Sequence, residues 1–69
     1  MSKNEVKVKA VVIEELPNLQ YKIQTADGKE MRAYLSGKMK MNRIRVIVGD
    51  EVEFVPDLQG PNNRIVFRL

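Results

Sequence analysis

Val6, Val8, Ala10 and Val12 alternate with Lys7 and Lys9. A period of two predicts a half-buried strand over residues 5–13. Val11 and Ile13 make its far end apolar on both faces, which suits a strand entering a closed or strongly curved sheet. Leu16-Pro17-Asn18 breaks the run, because Pro lacks a ladder donor and Asn favours turns. A second strand follows at 20–25, with Tyr21 and Ile23 inward and Gln20, Lys22 and Gln24 outward. Asp27-Gly28 is a strong short hairpin signal. The third strand, 30–35, is expected to bury Met31, Ala33 and Leu35 and to expose Glu30, Arg32 and Tyr34.

The next segment, Ser36 to Arg45, loses the alternation. Its Ser-Gly start and the spacing of Met39 and Ile44 fit a short helical turn better than a strand. Gly49-Asp50 punctuates, and residues 51–55 alternate again with Val52 and Phe54 inward. Residues 56–63 (PDLQGPNN) read as a loop. The last strand, 64–68, places Ile65 and Phe67 inward and Arg64, Val66 and Arg68 outward. The expected fold class is all-β: a five-stranded OB-fold barrel with a short helical turn between strands 3 and 4. An SH3-like barrel fits the strand count on pattern alone. There is no internal repeat and no low-complexity tract. Residues 1–69 read as a single domain, with 1–4 a flexible N-terminus.

Composition narrows the chemistry. A chain of 69 residues buries only about 60% of its unfolded surface, so its core must be small. Cys and His are both absent. This excludes disulfides, thiolate or imidazole metal sites, Cys nucleophiles and imidazole bases. Hydrophobic content of 43% and charged content of 30% match a folded domain rather than a disordered one. No apolar run approaches the ~20 residues of a membrane span. Met1 to Glu5 leads into alternating Val and Lys rather than the apolar block of a signal peptide. The expectations are a cytoplasmic protein with no membrane partner, monomeric as a closed barrel is by default.

Charge distribution says more than the net charge of +3. Residues 32–45 hold five basic residues (Arg32, Lys38, Lys40, Arg43 and Arg45) and no acid, while the other seven basic residues face all nine acids. Such asymmetry points to a face that meets a polyanion. Enzyme chemistry lacks reagents. Ser36 has no base placed by a nucleophile motif, G-x-S-x-G is absent, and Ser36-Gly37-Lys38 lacks phosphate-loop spacing. Asp50, Glu51 and Glu53 read as a solvated strand face rather than a metal site. No cofactor is expected. Met31 reads as core and Met39 as a lid on the barrel, while Met41 has no evident role.

Nucleic-acid binding is the class the residues support. OB-fold barrels bind strands with a cationic surface and aromatic platforms. The cations are the 38–45 insert, Arg32, and the outward Arg64 and Arg68. The aromatic inventory is thin, since Tyr21, Phe54 and Phe67 fall on inward positions and only Tyr34 is free to stack, beside Arg32. Binding to a folded RNA through phosphates and shape fits this inventory better than stacking of successive bases. Two rivals remain. One is a general single-stranded RNA-binding or RNA-chaperone barrel of the cold-shock type, which requires an exposed aromatic cluster. The other is a protein-interaction barrel without a nucleic-acid partner, for which the basic insert is a solvated loop or meets an acidic protein.

The stretches VVIEELPN, ADGKEMRAYLSGKMKMNRIRVIVGDEVEF and RIVFR resemble bacterial translation initiation factor 1, from about Val6 to Arg68. The resemblance implies an OB-fold barrel without catalytic activity that sits in the aminoacyl (A) site of the small ribosomal subunit. It further implies contact with 16S-type decoding-region rRNA and a neighbouring ribosomal protein, and cooperation with initiation factors 2 and 3. Lys38, Lys40, Arg45, Arg64 and Arg68 match family positions that face rRNA. With Arg32, Tyr34 and Arg43 from the reading of the residues, these form the candidate site. Four places depart from the family pattern. Ala10 stands for a usual Gly, Met41 for a usual basic residue and Arg43 for a usual aromatic or His. Pro56-Asp57-Leu58 lacks a Tyr often found between Pro and Asp.

Overall fold

A computed structural model describes residues 6–69; the expected flexible segment 1–4 lies outside the described residues. Five strands and one helix follow in the order β1 (Val8–Leu16), β2 (Gln20–Thr25), β3 (Glu30–Leu35), α1 (Gly37–Met41), β4 (Glu51–Val55) and β5 (Asn63–Arg68). The strands close into a barrel in the order β1-β2-β3-β5-β4. All neighbours are antiparallel except β3 and β5, which pair in parallel through Ala33–Leu35 and Asn63–Ile65. This order, with the helix between β3 and β4, is an OB-fold and removes the SH3-like alternative.

β1 is long because it serves both sides of the barrel. Its first half, Val8–Val11, pairs with Phe54–Glu51 of β4, while Ala10–Leu16 pairs with β2. A bulge at Ile13, between Val12 and Glu14, bends it from one partner to the other. The strand therefore starts at Val8 and runs to Leu16, not 5–13, and Val6 lies before it, 67% exposed. Pro17-Asn18-Leu19 then reverses the chain, with Asn18 and Leu19 both left-handed at φ 63° and 58°. The β2–β3 turn closes as the Gly28 N–H donates to the Thr25 carbonyl (2.9 Å), with Gly28 at φ 88°. The Asp27 carboxylate holds this turn by accepting from the Thr25 hydroxyl and from the Lys29 N–H at 3.3 Å. Those bonds favour its ionised form, so its pKa lies below the usual carboxylate range.

Alternate residues fill the barrel: Ala10, Val12, Tyr21, Ile23, Ala33, Leu35, Val52, Phe54 and Ile65. Met39 of α1 closes one end, only 2% exposed, and Val46 joins it from the connector to β4. Fully burying a side chain of this size contributes about 1.5–3 kcal/mol. Met31, expected to be buried, is half-buried against the cluster.

The last strand departs from its expected pattern. In the β4–β5 ladder Phe54 pairs with Ile65 and Glu53 with Phe67, leaving Val66 as an extra residue. This bulge shifts the parity of everything after it. Phe67, expected inward, is 54% exposed. Arg68 stands opposite buried Val52 yet is exposed, as expected.

Candidate nucleic-acid interface

Short helices are marginal in water, so α1 needs its ends fixed. At its start the Ser36 hydroxyl accepts from the Met39 N–H at 3.3 Å, and the Ser36 N–H donates to the Ile65 carbonyl at 2.9 Å. Ser36 is buried, so these bonds tie the helix to β5. At its end the Ile44 N–H donates to the Met39 carbonyl and the Arg43 N–H to the Lys40 carbonyl, both at 3.1 Å. That pair of bonds is a Schellman motif, and Met39 and Ile44 supply its apolar contact. The motif needs a left-handed residue where Gly is usual, and here Arg43 occupies it at φ 54°.

Fixed ends aim the cations. Lys38, Lys40, Arg43 and Arg45 are all exposed, and none of them forms an ion pair among the described residues. The Lys40 ammonium lies 6.0 Å from the centre of the Tyr34 ring. This cation–π contact is worth about 0.5–1 kcal/mol at an exposed site. Tyr34 stands opposite Gln20 on β2 and Arg64 on β5. Tyr34 and Arg64 line one hollow of about 460 Å³ with Asp57 and Asn62. Arg32 and Tyr34 line a smaller one of about 110 Å³. Arg32, Tyr34, Lys40 and Arg64 thus share one outer face across β3, β5 and α1.

Other candidates lie apart from that face. The Arg68 guanidinium donates to the Arg45 carbonyl at 3.2 Å and lies 4.0 Å from Asp50, so part of its donor capacity is used internally. Arg45 approaches Tyr21, whose hydroxyl pKa is raised by burial and by Glu15, with Arg45 opposing them. Lys38 faces a different cleft, shared with Phe67. Met41 is 80% exposed, with no role that the structure explains.

Two residues escaped the sequence reading. Asn63, expected in the 56–63 loop, is buried and begins β5. Its amide donates to the Arg32 carbonyl at 2.8 Å and its oxygen accepts from the Asp57 N–H at 3.0 Å. Asp57 in turn accepts from the Gln59 and Asn62 N–H groups, which folds residues 57–62 beside Tyr34. The other is Phe67. Its signal was the three consecutive apolar residues Ile65-Val66-Phe67, which a strict period of two cannot place. Among the described residues no group of three or more acidic, His or Cys side chains is placed to hold a metal ion. No helix among them is long and apolar enough to cross a membrane.

The sequence model of the family described as Translation initiation factor 1A / IF-1 matches residues 1–69. A translation initiation factor IF-1 of Rhodospirillum rubrum is 44% identical over 54 residues, which cover 77% of this chain and 57% of that protein. The matched region thus spans little more than half of that relative's length. The solution structure of translation initiation factor 1 from a Wolbachia endosymbiont of Brugia malayi superposes with a TM-score of 0.79 at 30% identity, covering 99% of this chain and 82% of that one. YjeQ from Thermotoga maritima superposes equally well, TM-score 0.79 at 25% identity, but over 93% of this chain and only 23% of the larger one.

Proposed function

The chain belongs to the translation initiation factor 1A / IF-1 family, and from that premise we propose that it is an initiation factor occupying the A site of the small ribosomal subunit. In this reading it contacts decoding-region rRNA and a neighbouring ribosomal protein and acts with initiation factors 2 and 3. It works in the cytoplasm as a monomer and catalyses no reaction. Its mechanism is steric and electrostatic: the barrel fills the site during initiation, and cations fix its orientation on the phosphate backbone.

The observation that carries this reading is the set of exposed cations on and beside α1, free of ion pairs among the described residues. Surface Lys and Arg commonly sit beside carboxylates, whereas here three project from a segment capped at both ends and Arg45 follows directly after it. A polyanion replaces the counterions such a surface gathers, and their release drives binding. Arg32, Tyr34 and Arg64 extend the surface along the barrel wall.

Co-sedimentation with small and large ribosomal subunits across a salt series tests the proposal. Saturable one-to-one binding to small subunits alone is expected. The log–log salt slope should fall by about 0.7–0.9 for each phosphate contact removed. A Lys38→Glu, Arg45→Glu variant that binds as tightly as wild type with the same slope refutes the site. Equal binding to any RNA offered refutes the A-site reading in favour of a general RNA binder.

A further inference from the structure

The bulge at Val66 creates a surface of which the A-site reading uses only Lys38. Phe67 is 54% exposed on the outer face of β4 and β5. It stands directly opposite Glu53, which stands opposite Lys9 on β1. Opposed residues point to the same face with Cβ atoms about 4.5–5.5 Å apart. Phe67, Val66, Glu53, Lys7 and Lys38 line one open cleft of about 470 Å³. Although Lys9 stands opposite it, Glu53 forms no ion pair among the described residues. An aromatic ring, a carboxylate without an ion pair among the described residues and two flanking ammonium groups therefore share one concave site.

Each group has a natural counterpart in one ligand. An exposed Phe offers a flat apolar surface on which any base can stack. Lys7 and Lys38 complement the phosphates on either side of that base. A carboxylate among cations repels phosphate, yet it accepts hydrogen bonds from the edge of a base. Guanine fits it best, since its N1–H and N2 amino group lie side by side and reach both carboxylate oxygens. Adenine sets an acceptor beside its amino group, cytosine does the same, and uracil flanks its N3–H with two carbonyls. We propose that this cleft binds one unstacked guanine of single-stranded RNA, with Phe67 beneath the base, Glu53 at its Watson–Crick edge and Lys7 and Lys38 on the adjacent phosphates.

This inference rests on the RNA-binding part of the proposed function but uses a face distinct from that of Arg32, Tyr34, Lys40 and Arg64. The test is an NMR and fluorescence-anisotropy titration of the full chain with the RNA hexamers UUGUUU and UUUUUU. UUGUUU should bind about tenfold more tightly and shift the Phe67 ring protons. Phe67→Leu should weaken that binding by about 5- to 160-fold, the range for one lost base stack, while Phe67→Tyr restores it. Glu53→Gln should shrink the preference for guanine without steepening the salt dependence. Because Phe67 and Glu53 lie outside the core, a thermal melt close to that of wild type should confirm that the variants fold. No preference for guanine, or undiminished binding by Phe67→Leu, overturns the inference. So does a loss of subunit binding in Phe67→Leu without ring shifts from RNA, which would mean that a protein covers the face. Subunit binding that persists without guanine preference sinks this inference alone, whereas guanine preference without subunit binding sinks the A-site reading alone.

Discussion

Replacing Arg43 by Gly should make the protein more stable and a weaker RNA binder at once. Arg43 is the left-handed residue of the Schellman motif, at φ 54°. For an L side chain that conformation costs about 1–2 kcal/mol, which Gly avoids. Gly also frees the unfolded chain, which returns about 0.4–1 kcal/mol of the gain. The net stabilisation is about 0.5–1 kcal/mol, or an increase in Tm of roughly 3–6 °C for a domain of this size. Both hydrogen bonds of the motif are made by backbone atoms, so the substitution keeps them. At the proposed interface the lost guanidinium should also remove one phosphate contact and lower the salt slope by about 0.7–0.9. Thermal unfolding by circular dichroism and subunit binding across a salt series read the two effects separately. Arg43→Lys is the control, keeping both the charge and the strained backbone, and should leave both readouts near wild type. A lower Tm for Arg43→Gly would refute the strain argument, and an unchanged slope would remove Arg43 from the interface.

Ser36→Ala strips the Met39 N–H of its acceptor in a buried setting, and urea unfolding should show a loss of about 1–2 kcal/mol. Asn63→Ala leaves the Arg32 carbonyl and Asp57 N–H without their partner. It should cost about 2–3 kcal/mol in the same assay and broaden the amide signals of residues 57–62. Asp27 has a folded pKa below its unfolded one, so its contribution is present above the unfolded carboxylate range and fades as pH falls through the folded value. Asp27→Asn should therefore melt below wild type near neutral pH, with the gap closing on acidification; a gap independent of pH would contradict the role of the charge.

Strands whose neighbours impose no irregularity were legible in the sequence. Alternation placed β2, β3 and β4 at their observed bounds, because each presents one face to the core throughout. β1 was misplaced because its extent depends on two partners that local pattern does not reveal, with a bulge between them. The inward orientation expected of Phe67 failed for a related reason, since barrel closure sets where β5 must kink. Charge alone singled out the cations of the 38–45 insert. Which of them share a face was not legible, because the grouping of Lys40 with Tyr34 and of Lys38 with Phe67 depends on how α1 sits on β5. Asn63 was hidden in a polar loop, where nothing local distinguishes a buried amide from the solvated one beside it.

The closing contacts of the barrel also bear on the order of folding. β1, β2 and β3 form a meander of short connections, and β4 and β5 form a second hairpin. α1 is strung between these two halves, and the Ser36 N–H that anchors it reaches for Ile65 of the second half. Contacts between residues so distant in sequence form late, because chain entropy must be lost before they stabilise anything. The helix that carries the cations is thus fastened only when the two halves meet. A chain cut short before β5 would hold most of its positive charge and lack the partner that directs it, so kinetic completion of the fold and competence to bind arrive in the same step.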